Sequence, residues 1–150
     1  MGKFIKNHWA RLIILTSAIY QFAASLEGFF WPKIFWDFLT KTLDPAVKPF
    51  PTLQIINLIF AILALAWEWP LKPFVDAFPG VHRSVEARLV VYPLAALSAA
   101  LMYQATNPAI YYCVGMAAYA WGFTEGEQVC AEPWSVPRKG GRERPATGKV

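Results

Sequence analysis

The chain has 150 residues, of which 56% are hydrophobic and 16% aromatic, with only 16% charged; a soluble domain carries about a quarter charged residues. The deficit sits in long charge-free runs, which argues against an ordinary water-soluble domain and points to one all-α integral membrane domain. The net charge of +4 is therefore read through the orientation of loops across a bilayer, and not as a nucleic-acid surface.

Residues 1–11 carry Lys3, Lys6 and Arg11, and Leu12 to Leu26 is then uncharged. Trp9 before this run and Phe29, Phe30 and Trp31 after it supply aromatic belts, predicting a first helix over 9–28. Ala23-Ala24-Ser25 could pass as a signal-peptide cleavage site, but the apolar segment continues past it into the aromatic cluster. In residues 32–51, Ile34, Phe35, Phe38 and Leu39 alternate with Lys33, Asp37 and Lys41 at helical spacing. This reads either as a short amphipathic segment lying in the interface or as a partly buried loop cap.

A second helix is predicted over 53–69, ending in Glu68-Trp69-Pro70, followed by a polar loop over 71–88. From Leu89 to Thr124 there is no Asp, Glu, Lys or Arg. That run is about twice the ~20 residues needed to cross the ~30 Å hydrocarbon layer, with Asn107-Pro108 at its midpoint. It predicts two helices, 86–105 and 108–123, joined by a tight turn; Pro108 suits a helix start, where its missing N–H costs little. After Thr124 charge, proline and glycine return, predicting a polar, mobile tail over 125–150. Residues 1–124 thus form a four-helix transmembrane domain. Eleven of the 14 lysines and arginines fall in the N-terminus, the 71–88 loop and the tail, and 3 on the opposite side, so both termini are expected in the cytosol.

The hydrocarbon portions of these helices carry no ionisable residue, which a membrane enzyme or ion carrier usually needs. His8 and His82 lie at membrane edges, Met102 and Met116 read as core filler, and Cys113 and Cys130 fall in different environments. Tyr111, Tyr112, Tyr119 and Trp121 read better as helix-packing surface than as a redox relay. No catalytic, cofactor-binding or metal-ligating residue is assigned. Small residues do recur at packing spacing: Ala95 with Ala99, Ala96 with Ala100, Ala118 with Gly122, Ala24 with Gly28. Such pairs allow close helix approach in lipid, and suggest a subunit of a larger assembly.

Several residues recur in order at the ends of the charge-free run: Glu68-Trp69-Pro70, Arg88, Gly126-Glu127-Gln128, Glu132-Pro133 and Arg142-Glu143-Arg144-Pro145. In this order and spacing the sequence resembles the light chain of the phagocyte NADPH-oxidase cytochrome b. It is similar over nearly the whole chain to the fungal branch of that family, NoxD. The resemblance implies a non-catalytic membrane subunit that stabilises a haem- and FAD-containing NADPH oxidase subunit and supports its maturation, enabling superoxide production. Haem, FAD and NADPH would then sit on the partner, and none on this chain. Residence in the endoplasmic reticulum, and further on in the plasma or vacuolar membrane, would follow. Glu68, Pro70, Arg88, Gly126, Glu127, Gln128, Arg142 and Arg144 become the expected partner or assembly residues. Glu68 and Arg88 could pair with each other, with lipid headgroups or with the partner, and Glu127 and Gln128 are expected to face the partner. Docking of an SH3-containing organiser is not expected, because the animal proline-rich tail has no counterpart before Val150. The rival reading is an endoplasmic-reticulum cargo receptor or chaperone with broader clients.

Overall fold

The computed structural model describes residues 4–39, 41–130 and 134–137. Four helices make the body: α1 (Lys6–Phe30), α2 (Thr52–Glu68), α5 (Val85–Leu101) and α6 (Thr106–Thr124), with two short helices, α3 (Lys72–Ala77) and α4 (Pro79–Arg83), between α2 and α5. The four alternate in direction, so the start of α1, the 69–84 connection and residues 125–130 and 134–137 gather at one end. The 31–51 and 102–105 connections gather at the other.

Local chemistry sets the boundaries. Ser84 caps α5, its hydroxyl accepting from Ala87 N at 3.0 Å, and proline opens both α3 and α4 where no helical N–H is needed. The turn between α5 and α6 lies at Met102–Ala105, earlier than Asn107-Pro108. Met102 takes extended backbone geometry (φ −98°, ψ 128°) and bridges Ile34, while Tyr103 N donates to Lys33 O at 3.1 Å. Pairing with the 31–51 segment therefore ends α5 at Leu101, and Pro108 enters the first turn of α6. Pro93 sits inside α5, leaving the Leu89 carbonyl without its helical donor.

Within 31–51 the chain forms 3-10 turns at Phe35–Phe38 and Asp44–Ala46. Ile34 is buried with Val47, Leu53, Ala99, Met102 and Ala109, whereas Phe38 and Leu39 are exposed. The main core joins Ala10, Ile14 and Ala18 of α1 to Tyr92, Ala95, Tyr112 and Tyr119. α1 and α6 approach closely because Gly115 faces Ile14; a Cβ at 115 would strike the Ile14 side chain. Of the small-residue pairs, Ala95, Ala96, Ala99, Ala24, Gly28 and Gly122 are buried.

Composition predicts a polar, mobile tail over 125–150; its described residues include two short strands. β1 (Glu127–Val129) pairs antiparallel with β2 (Ser135–Pro137), Gln128 opposite Val136, and Val129 belongs to the main core. The reason is Gly126, whose φ of 74° turns the chain back across the bundle end in a geometry other residues resist.

Among the described residues, α1 alone is long and apolar enough by length and hydropathy to cross a membrane, with α2 a shorter apolar helix. α5 spends its first turn on Glu86 and Arg88, and α6 is diluted by tyrosine, tryptophan and glycine.

Candidate functional site

Glu68, the last residue of α2, is 1% exposed, and so needs compensation from every side. Its Oε1 accepts from Arg88 Nε at 2.9 Å and from the Tyr92 hydroxyl; its Oε2 accepts from the Tyr119 hydroxyl at 2.6 Å. Arg88 spends Nη1 on His82 O at 2.6 Å and Ser84 O at 3.1 Å. Its guanidinium lies 5.2 Å from the Trp67 ring centre and 5.4 Å from that of Tyr119. Arg11 of α1 donates Nε to the Glu68 carbonyl at 2.5 Å and stacks 3.8 Å over Trp134. One carboxylate thus joins α2, α5 and α6 directly, α1 through its own carbonyl, and the turn beyond α4 through Arg88.

The second carboxylate at this end is Glu127. Ile5 gives α1 no side-chain cap, and Glu127 supplies it from the far end of the chain: Oε1 accepts from Lys6 N at 3.1 Å and Oε2 from Asn7 N at 2.9 Å. A carboxylate on the first N–H groups of a helix also meets the positive end of its dipole. Lys6 Nζ pairs with Glu125 at 2.6 Å. Gly122 is tightly placed here, since a Cβ would collide with the Asn7 amide oxygen.

His82, on α4, is 3% exposed, and neither ring nitrogen has a partner among the described residues. Burial, reinforced by the Arg88 charge, pushes its pKa below the ordinary 6.5.

Halfway along the bundle lies an uncharged polar layer. Gln21 Nε2 donates to Asn57 Oδ1 at 2.8 Å, Asn57 Nδ2 donates to Ser98 O at 2.9 Å, and the Tyr112 hydroxyl donates to Gln21 Oε1 at 2.8 Å. Ser17 Oγ reaches Pro108 O at 2.7 Å. All four long helices contribute.

The expected assembly residues therefore separate into groups. Glu68 and Arg88, given three alternative pairings in the sequence reading, form a buried ion pair with each other. Gly126 carries the positive-φ turn out of α6. Glu127 does not face outward: its carboxylate is consumed by α1 and the residue is 4% exposed, while Gln128 is exposed. Pro70 lies in the short turn after α2; Arg142 and Arg144 lie outside the described residues, as do Glu132 and Pro133. Not anticipated were Arg11, Tyr92 and Tyr119 around Glu68, and the amide layer. The available signal was a small set of polar side chains within otherwise apolar runs: Ser17, Gln21 and Ser25 at four-residue spacing, Gln54 and Asn57 at three, and Ser98 alone.

A family model described as a domain of unknown function, DUF7727, matches residues 1–127. The chain belongs to this family. The DUF7727 match ends at the residue whose carboxylate closes on α1, so both polar clusters lie within the family's domain. No curated protein and no solved structure matches the chain.

Proposed function

We propose that this DUF7727 protein is a membrane tetraspan with both termini in the cytosol, acting as the non-catalytic partner of a haem- and FAD-containing NADPH oxidase subunit. The observation that carries the membrane reading is an inverted surface. Ile19, Ile59, Ile62, Val90, Leu97, Ile110 and Val114 are exposed, while Ser17, Gln21, Asn57, Glu68 and Arg88 are buried. Water-soluble domains expose contiguous apolar surface of this kind rarely; a bilayer accommodates it, and directs polar side chains inward. α2, α5 and α6 then span together with α1, and the short 3-10 turns with exposed Phe38 and Leu39 rest at the far interface.

The partner reading rests on the resemblance to the cytochrome b light chain family. It is supported by where the resembling residues fall: Glu68, Arg88, Gly126 and Glu127 form two linked locks at one end. A subunit that stabilises another needs a rigid body of its own, and these locks tie all four helices together. The electron-carrying groups would belong to the partner, this chain would accompany it through the endoplasmic reticulum, and the complex would work there or in the plasma or vacuolar membrane.

Deletion of the chain tests the role. Oxidase abundance and superoxide output are expected to fall together and to return with the wild-type chain. If oxidase levels are indifferent while other membrane cargo is retained in the endoplasmic reticulum, the protein is instead a cargo receptor.

A further inference from the structure

α4 is five residues long and buries one side chain, that of His82; Pro79, Gly80, Val81 and Arg83 are exposed. A single non-helical residue joins it to the chain on each side, Phe78 at φ −133°, ψ 59° and Ser84 at φ −77°, ψ 118°. Among the described residues, its hydrogen bonding to the long helices runs through the His82 carbonyl, which accepts from Arg88 Nη1 at 2.6 Å. The seat of this short helix on the bundle therefore depends on one titratable ring.

That seat suits the neutral ring and not the cation. Arg88 from α5, Arg11 from α1 and Arg83 of α4 act on His82 against one carboxylate, Glu68 from α2. Both oxygens of Glu68 are already taken, Oε1 by Arg88 and Tyr92 and Oε2 by Tyr119. Of the other elements packed on α4, β1 brings Glu127, whose oxygens accept from the first N–H groups of α1, and α3 brings Lys72 and Asp76, both exposed. An imidazolium here would be a fourth cation beside an occupied carboxylate, with both of its N–H groups unpaired; a buried charge without a partner is expelled to water.

We propose that α4 is an acid-released flap: a proton taken up by His82 drives the ring out of the bundle end, and α4 swings away from Arg88 while the four long helices stay in place. The long helices keep their own ties, since Arg88 retains Glu68 and the Ser84 carbonyl and the mid-bundle layer is uncharged. The swing widens a cavity of about 800 Å³ that has Gly80 and Arg83 on one side and Gly126, Glu127 and Gln128 on the other. The closed position is fully favoured above about pH 6.5, where the released ring is neutral too, and gives way as pH falls further. The device rests on the residues around α4 and on neither the membrane nor the partner reading.

The test is hydrogen exchange of the full chain in mild detergent at about pH 7.5 and about pH 5, with each amide referred to its unstructured rate at the same pH. The amides of His82 and Ser84 donate to Phe78 O and Gly80 O. They are expected to lose protection by roughly tenfold at the acid pH, with α1 and α6 unchanged. His82→Phe, an uncharged ring of similar size, should hold α4 closed at both. In the wild-type chain, the ring nitrogen resonances of His82 should pass from neutral to cationic in step with the exchange, a reading that needs no variant. Equal protection of α4 at both pH values, an acid loss that persists in His82→Phe, a ring still neutral when α4 has opened, or a loss spread evenly over the long helices overturns the proposal.

Discussion

Glu68 holds three side-chain donors in a site closed to water, so its partners cannot be removed singly without leaving charge or hydroxyls uncompensated. Arg88→Met strands the carboxylate and is expected to cost about 3–5 kcal/mol, read as a lower unfolding midpoint in detergent. The double variant Glu68→Leu with Arg88→Met should recover part of that loss, because an uncharged pair needs less compensation. His82 adds a pH dependence. Its pKa is lowered in the folded chain by burial and by Arg88, so the unfolded chain binds the proton more readily. Stability from this residue is complete above about 6.5, the unfolded value, and declines as pH falls through the folded value. Melting midpoints across that range should drop toward acid, and His82→Phe should flatten the drop. Arg88 and Glu68 were visible as residues worth naming because they punctuate the ends of apolar runs. That they meet was one of three open pairings, since 20 residues separate them and only the folded α2–α5 geometry closes the gap. Arg11 was read as a flanking charge, and nothing in its local sequence distinguishes one lying on solvent from one donating to a helix end.

At the scale of elements, the first turn of α1 depends on a residue 120 positions away. Glu127→Ala removes the acceptor of two backbone N–H groups and is expected to cost about 1–2 kcal/mol; Glu127→Gln, retaining one acceptor oxygen without the charge, should cost less. Hydrogen exchange at Lys6 and Asn7 should accelerate in the same order. Gly126→Val acts one step earlier, forcing a β-branched residue toward φ 74° at a cost of about 1–2 kcal/mol or more, and should release the same amides. The four long helices were legible because apolar length needs no partner to be seen. Their ends were less so: α5 stops at Leu101 and not at 105 because Met102 pairs with Ile34 across the loop, a contact with no local signature. The β-hairpin was hidden behind composition, since the charge and glycine around Gly126 resemble a solvated tail until Glu127 is seen to have a destination.

Across the whole molecule the distribution of polarity is the feature that connects fold to role. Polar side chains form one layer at mid-bundle and one at the Glu68 end, and apolar residues cover the outside of the helices. The proposed orientation rests on the excess of lysine and arginine that the sequence carries in residues 1–11, 71–88 and 125–150. A reporter fused at the N-terminus or after residue 150 is therefore expected to stay protected in sealed microsomes of native orientation only if that face is lumenal, and to be digested by external protease if it is cytosolic; digestion of both is the expected result. In the proposed complex, the outward apolar faces are the surface open to a second membrane protein. The most direct measurement of the subunit role is purification of the tagged chain in mild detergent from its native membrane, with an absorption spectrum of what accompanies it. Co-purification of a larger membrane protein with a reducible haem spectrum is the expected result. A chain recovered without haem absorption, from membranes that contain the oxidase, would contradict it.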